Sequence, residues 1–167
     1  MGWSNERHQY IAQQLKHKDV IGLTECGATI QKHASAGLLV GESPPEGDPA
    51  GSAAIALSPR AQALVIGSGS VGSRLILVRL AGLFKNTLII TGYIPHAHRK
   101  RAPFQDDTLQ QLQDLLLKES TLGECVIVMG DFNCKLPRGV KGITGKYSIH
   151  PRPDGGGKSL MEIMQAA

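Results

Sequence analysis

The chain of 167 residues is 41% hydrophobic and 19% charged, which fits one globular domain and excludes fibrous and disordered proteins. No stretch approaches the roughly 18 uninterrupted apolar residues of a membrane helix, and the start of the chain lacks a secretory signal. Three cysteines without CxxC spacing favour reduced thiols over a disulfide framework or a zinc site. We therefore expect an intracellular protein, nuclear or cytoplasmic, with no membrane partner.

The net charge of +4 is concentrated in one part of the chain. Residues 1–133 carry 12 basic and 12 acidic residues, whereas residues 134–158 carry six basic residues against Asp154 alone. A shorter basic cluster, Arg99-Lys100-Arg101, follows His96 and His98. Local positive charge on a neutral body favours a polyanionic partner such as nucleic acid, although a solvated basic loop gives the same pattern.

The first half of the chain is predicted to be mostly sheet. Periodic apolar residues predict a helix over Asn5 to Lys18, and the residues from Gly41 to Gly51 are rich in Gly, Pro and acids, which is typical of a surface loop. β-rich runs follow. The predicted strands are Val20 to Leu23, Ser52 to Leu57, Ala63 to Ile66, Arg74 to Leu80 and Thr87 to Tyr93.

The second half contains the best predicted helix, Asp106 to Lys118, whose leucines form one stripe and whose Asp107 is a candidate N-cap. A continuous apolar strand, Cys125 to Met129, then leads into Gly130-Asp131-Phe132-Asn133, and a last helix is predicted over Ser159 to Gln165. Strands along the whole length with helices between some of them predict an α/β or α+β domain with layered sheets.

Two glycine-rich motifs resemble nucleotide-binding loops. Gly67 to Gly72 matches GxGxxG, but a strand-like run follows it. Between Gly72 and Asp106 there is also no acidic residue that could hold a ribose. A glycine-rich hairpin connection is the better interpretation. Gly155-Gly156-Gly157-Lys158-Ser159 lacks the first glycine of a P-loop and a preceding strand, and predicts a flexible turn into the last helix.

Three predicted strands end in polar residues suited to phosphate chemistry. Glu25 follows the first strand, Tyr93 and His96 follow another, and Asp131 and Asn133 follow the apolar strand of the second half. If these ends lie side by side, Glu25 and Asp131 can share a divalent cation or a water. Uncharged donors from Tyr93 and Asn133 would then bind phosphate oxygens. The alternative is that Glu25 and Asp131 are exposed strand-end carboxylates that do not share a site, since the sequence does not show whether they are adjacent.

The sequence resembles the endonuclease/exonuclease/phosphatase superfamily, which includes apurinic/apyrimidinic endonucleases and the endonuclease domains of non-LTR retrotransposons. The resemblance covers nearly the whole chain, and the GDFN sequence is its most specific element. The SPR and LVRL sequences are most similar to retroelement and reverse-transcriptase-associated members. Four stretches carry the resemblance to the superfamily: DVIGLTEC (19–26), AIALSPRA (54–61), LIITGYIPHAHR (88–99) and VIVMGDFNCKL (126–136).

The resemblance implies a four-layer α-β-β-α sandwich of the DNase I-like type and Mg²⁺-dependent phosphodiester hydrolysis of nucleic acid, most simply DNA, with Mn²⁺ as a substitute cation. It assigns the metal to Glu25, water activation to Asp131, and the catalytic tyrosine and asparagine to Tyr93 and Asn133. The resemblance also makes His96 and Arg99 candidate nucleic-acid contacts, and the local charge adds Lys135 and Arg138.

Parts of the family pattern have no counterpart here. Members begin with a strand that carries an Asn near the metal, and they end with strands that carry an Asp and a Ser-Asp-His motif. We therefore expect residues 1–167 to form a partial domain that lacks the first and the closing strands. Two alternatives stay open: an inactive fragment that at most binds nucleic acid weakly, and a phosphodiesterase or phosphatase acting on another phosphate ester.

Overall fold

The computed structural model describes residues 5–25, 37–42, 51–96, 102–120, 123–141 and 150–166. The chain forms two compact units. The first comprises Met1–Tyr93 with Ser120–Asp131, and the second comprises Ile94–Glu119 with Phe132–Ala167. The first unit contains all the strands of the described residues, so it decides where the strand ends meet.

The first unit contains a three-stranded antiparallel sheet. Its strands are β1 (Val20–Thr24), β2 (Leu38–Gly41) and β3 (Ala53–Leu57), in the order β1-β3-β2. Every residue of the central strand β3 is buried. A strand covered on both faces needs apolar residues at every position, which is why the run Ala-Ala-Ile-Ala-Leu does not alternate with polar residues.

A second sheet of four strands has the order β4-β5-β6-β7. The neighbouring strands among β4, β5 and β6 pair antiparallel, whereas β7 runs parallel to β6. A parallel neighbour requires a long crossover, and α3 lies in the chain between β6 and β7. The strands are β4 (Val65–Val71), β5 (Leu75–Leu80), β6 (Thr87–Tyr93) and β7 (Cys125–Asp131).

The two sheets pack face to face, and their inner faces form the main core. This core contains Ala53, Ile55 and Leu57 from β3 together with Ile76 and Val78 from β5. The remaining β3 residues, Ala54 and Ala56, face the other way and pack with Leu15 and Leu39, against which Ile11 of helix α1 (Asn5–Gln14) also packs. The alternation along β3 therefore divides one apolar run between two layers.

The second unit is built on two helices, α3 (Ala102–Glu119) and α4 (Gly155–Ala166), which contact each other. The apolar stripe expected on α3 is confirmed, because Leu109, Leu112 and Leu116 are all buried. On α4 the buried apolar residues are Leu160 and Ile163, three positions apart. Each helix therefore presents one apolar face, as amphipathic helices of globular proteins do.

The glycine-rich motif GxGxxG lies in a β-hairpin. Gly67 to Val71 belong to β4, and Gly72 is in the turn that leads to β5. The strand that follows leaves no helix N-terminus for a dinucleotide, so the hairpin interpretation is confirmed. A four-residue helix, α2 (Pro59–Gln62), lies between β3 and β4.

Other element boundaries also differ from the sequence prediction. Helix α1 ends at Gln14 and not at Lys18, and β4 covers Val65–Val71 instead of Ala63 to Ile66. Helix α3 begins at Ala102, so Asp107 lies inside it and accepts a 2.8 Å hydrogen bond from Gln111 one turn on, instead of capping it. Helix α4 begins at Gly155, so the three glycines form its first turn instead of a flexible connection. Strand β2 was not predicted, because four residues between loop sequences give too little periodicity.

Candidate active site

Glu25 directly follows β1 and has a backbone conformation that non-glycine residues seldom adopt. Its φ is +54° and its side chain is exposed. A left-handed residue costs about 1 kcal/mol or more and persists only where the surroundings impose it. The backbone therefore leaves the extended conformation of β1 at Glu25.

Tyr93, the last residue of β6, holds that carboxylate. Its side chain is only 1% exposed, and its Oη donates a 2.9 Å hydrogen bond to Oε1 of Glu25. The ring packs in the core between the two sheets, so the hydroxyl is fixed by a side chain that has little room to move. The ends of β1 and β6, which belong to different sheets, are joined at this point.

Asp131, the last residue of β7, is the register partner of Tyr93 on the parallel neighbouring strand. Its side chain is exposed. The preceding pair, Gly92 and Gly130, is unusually close, because a Cβ on Gly130 would lie 1.9 Å from the carbonyl oxygen of Gly92. Gly130 also has φ +143°, so glycine is required there to bring Asp131 beside Tyr93.

The first unit thus brings together three of the predicted site residues, Glu25, Tyr93 and Asp131. Asn133 belongs to the second unit, where its Nδ2 donates a 2.9 Å hydrogen bond to the carbonyl oxygen of Ile94. Its φ is +44°, another left-handed conformation, which Asn tolerates better than most residues. In the sequence Asn133 is separated from Asp131 by Phe132 alone.

Three of the four predicted nucleic-acid contacts lie within the described residues. His96, Lys135 and Arg138 have exposed side chains, which is compatible with a role at the surface. Arg99 lies outside the described residues.

The chemistry of Glu25 and Asp131 suits a hard divalent cation, which prefers carboxylate oxygens. Both carboxylates are exposed, and Tyr93 hydrogen-bonds only one oxygen of Glu25 among the contacts described. Within the described ranges no three His, Cys, Asp or Glu residues cluster as metal ligands. Two carboxylates fit a cation that keeps several waters and substrate oxygens among its ligands, as Mg²⁺ does.

One polar cluster near the site strands was not predicted. Asp19, just before β1, accepts two hydrogen bonds from Arg60, at 3.0 Å from Nε and 2.6 Å from Nη2, and one of 2.9 Å from Ser58. Arg60 and Ser58 hold the pKa of the Asp19 carboxyl below its usual value of 3.8. All three residues lie in stretches that carry the family resemblance, but their mutual contact has no signal in sequence spacing.

The model of the Endonuclease/Exonuclease/phosphatase family matches residues 2–158. Among solved structures the chain is similar to a humanised D. rerio TDP2 carrying 14 mutations, with 16% identity and a TM-score of 0.52. The match covers 79% of this chain and 64% of the TDP2 chain. The similarity confirms a mixed α/β fold with two sheets, compatible with a DNase I-like sandwich.

No curated protein matches the sequence. Within the described parts of the chain, no helix combines the length and the apolar character that crossing a lipid bilayer requires.

Proposed function

The chain belongs to the endonuclease/exonuclease/phosphatase family, and we propose that it is a Mg²⁺-dependent phosphodiesterase that cleaves nucleic acid, with DNA as the preferred substrate. One observation supports this proposal: Tyr93 hydrogen-bonds the exposed Glu25 and is the register partner of the exposed Asp131 on the neighbouring strand. Paired carboxylates at strand ends are a common arrangement for metal-assisted phosphoryl transfer.

Asp131 is the general base of the proposed reaction. Its carboxylate accepts a proton from a water, and the water oxygen forms a bond to phosphorus while the bond from phosphorus to the leaving sugar oxygen breaks. The leaving oxygen takes a proton from solvent. The products are a phosphate monoester and a free hydroxyl, so the reaction consumes one water and requires no oxidant or reductant.

Glu25 would hold the divalent cation, and Mn²⁺ would replace Mg²⁺ because both accept carboxylate ligands. When bound, the cation neutralises charge on the phosphate oxygens. Tyr93 keeps the Glu25 carboxylate in one orientation through its buried ring and its hydroxyl. A residue that fixes a metal ligand in this way raises the fraction of molecules ready to bind the metal.

Asn133 contacts the scissile phosphate in this proposal, and its neutral amide donates without adding charge repulsion. His96, Arg99, Lys135 and Arg138 are the proposed contacts to the nucleic-acid backbone. The local excess of basic residues supports a polyanionic partner, since each neutralised phosphate releases counterions. Such contacts position the duplex and carry no base preference.

The test is nicking of supercoiled plasmid by the purified chain with Mg²⁺, with Mn²⁺ or with EDTA. The variants are Glu25→Gln and Asp131→Asn, and the matched control is Glu162→Gln, which removes one exposed carboxylate charge from helix α4. We expect metal-dependent nicking by the wild type and the control, and loss of at least about a hundredfold in each site variant. Equal background nicking by all four proteins would overturn the proposal.

The same proteins also separate nucleic-acid cleavage from action on other phosphate esters. A wild type that hydrolyses bis(p-nitrophenyl) phosphate or an inositol phosphate, but leaves plasmid, linear duplex and single strands intact, would contradict the nucleic-acid substrate. Binding to duplex that falls steeply with salt supports the backbone contacts proposed above.

A further inference from the structure

One carboxylate oxygen of the second unit holds two separate backbone segments. Asp154 Oδ1 accepts a 2.7 Å hydrogen bond from the amide of Gly157 and a 3.1 Å hydrogen bond from the amide of Lys135. The main-chain carbonyl of Asp154 also accepts from the amide of Lys158 at 3.0 Å. Asp154 is thus the N-cap of α4 and, through the same oxygen, is bonded to the backbone two residues after Asn133.

The first turn of α4 is shaped to receive that backbone segment. A Cβ on Gly157 would lie 2.1 Å from the carbonyl oxygen of Lys135, and a Cβ on Gly156 would lie 2.9 Å from Sγ of Cys134. Glycine is unfavourable inside a helix, and both of these glycines are buried. Because these two glycines have no side chains, residues 134 and 135 can lie against the start of the helix.

The same segment is fixed on either side of this contact. Before it, the Asn133 side chain donates to Ile94, and the adjacent Pro95 carbonyl accepts a 3.1 Å hydrogen bond from Gln105 of α3. After it, the amide of Arg138 donates a 3.0 Å hydrogen bond to the carbonyl of His150. Residues 133–138 are therefore bonded at three places, by the side chain of Asn133 and by the backbone amides of Lys135 and Arg138, and Asp154 accepts the middle bond.

We infer that Asp154 is a positioning residue for Asn133. By holding the Lys135 amide, it keeps Asn133 in its left-handed backbone conformation, φ +44°, and so fixes the direction of the side-chain amide. This inference rests on the proposed function, in which Asn133 contacts the scissile phosphate. A purely structural cap would stabilise α4 without affecting the catalytic step.

The test compares Asp154→Ala, which removes the accepting oxygen, with Asp154→Asn, which retains it, because Asn and Asp are equally good N-caps. The matched control is Ser58→Ala, which removes the side-chain cap of α2 in the first unit. At a temperature where all proteins are folded, we expect Asp154→Ala to lower kcat about ten- to a hundredfold with little change in KM. Asp154→Asn and Ser58→Ala should keep wild-type kcat.

A second readout does not depend on activity. Hydrogen exchange of the Lys135 amide, followed by NMR, should be about tenfold faster in Asp154→Ala, as expected for one lost hydrogen bond, and unchanged in Asp154→Asn. Unchanged exchange in Asp154→Ala would overturn the positioning role whether or not the chain cleaves nucleic acid. Faster exchange with wild-type kcat would also overturn it and leave Asp154 as a cap only. An inactive wild type instead overturns the proposed function, and the exchange result then decides only whether Asp154 holds the segment.

Discussion

The hydroxyl of Tyr93 donates a 2.9 Å hydrogen bond to Glu25, a residue 68 positions earlier in the chain. The bond joins the end of β6 in one sheet to the residue that follows β1 in the other. The tyrosine ring is buried while the carboxylate is exposed. A rigid donor in the core therefore sets the orientation of a carboxylate at the surface, which is the arrangement expected of a metal ligand and its supporting residue.

Replacing Tyr93 with Phe should weaken metal binding while the fold is kept. The ring still fills the core, and the loss in the free energy of unfolding should be about 1 kcal/mol, for one hydrogen bond. We expect the Mg²⁺ concentration for half-maximal nicking to rise about ten- to a hundredfold, as for other residues that orient a metal ligand. A Mg²⁺ titration measures it, with Tyr10→Phe as control because Tyr10 is 64% exposed. An unshifted titration curve in Tyr93→Phe would contradict the assigned role.

The ion pair between Asp19 and Arg60 should make stability depend on pH at the acid end. The pKa of Asp19 is lowered in the folded state, so the pair stabilises the fold above the unfolded pKa near 3.8. This contribution is lost as the pH falls through the folded pKa. The effect should be small, because the side chains are 81% (Arg60) and 46% (Asp19) exposed.

Urea unfolding of the wild type and Arg60→Met at several pH values checks this. The two midpoints should differ above about pH 5 and converge as the pH falls through the lowered folded-state pKa of Asp19, because the carboxyl is then protonated in both proteins. Lys118→Met is the control, because Lys118 contacts Glu119 at 3.7 Å in another part of the chain. A difference between wild type and Arg60→Met that stays constant with pH would contradict the assignment.

Gly130→Ala should disrupt the end of β7. The added Cβ would meet the Gly92 carbonyl at 1.9 Å, and φ at this position is +143°. Crowding and backbone strain together should cost at least about 2 kcal/mol of unfolding free energy. Gly123→Ala separates the two causes, since Gly123 has φ +92° with nothing within 4 Å of the added Cβ. Thermal or urea unfolding measures both, and equal losses would show that crowding at Gly130 is unimportant.

Removing one partner of the ion pair between Arg79 and Glu124 should lower the free energy of unfolding more than removing both. Arg79 Nε lies 2.9 Å from Glu124 Oε1, and the side chains are only 22% and 7% exposed. Glu124→Ala should destabilise the protein by about 3 kcal/mol, because it leaves a mostly buried guanidinium without its carboxylate. The double variant Arg79→Met/Glu124→Leu should recover most of that loss in urea unfolding. A double variant as unstable as Glu124→Ala would indicate that the pair itself stabilises the fold.

The sequence predicts the sheet strands better than the helix ends, for identifiable reasons. The apolar runs of β3, β5 and β6 are long, β-rich and bounded by turn residues, which leaves few other structures for them. Helix α4 begins four residues before the predicted start, because three glycines are poor helix formers and only their close packing explains their place. Strand β2 depends on pairing with β3, which is a non-local contact.

The candidate site could be predicted in its residue types but not in its connections. Glu25, Tyr93 and Asp131 each stand at the end of an apolar run, and this position is visible in the sequence. The hydrogen bond between Glu25 and Tyr93 and the register between Tyr93 and Asp131 depend on how strands from distant parts of the chain pack. No spacing rule gives such contacts, and the role of Asp154 has no motif of its own.

The contacts of Asp19 with Ser58 and Arg60 have a consequence for how related chains diverge. The DVIGLTEC and AIALSPRA stretches look like independent motifs in the sequence, yet one carboxylate binds both of the polar side chains in the second stretch. Drift at one of these positions changes the selection acting on the other two. Relatives in which position 19 is no longer acidic should therefore also have replaced the arginine, so that the three positions covary as one unit.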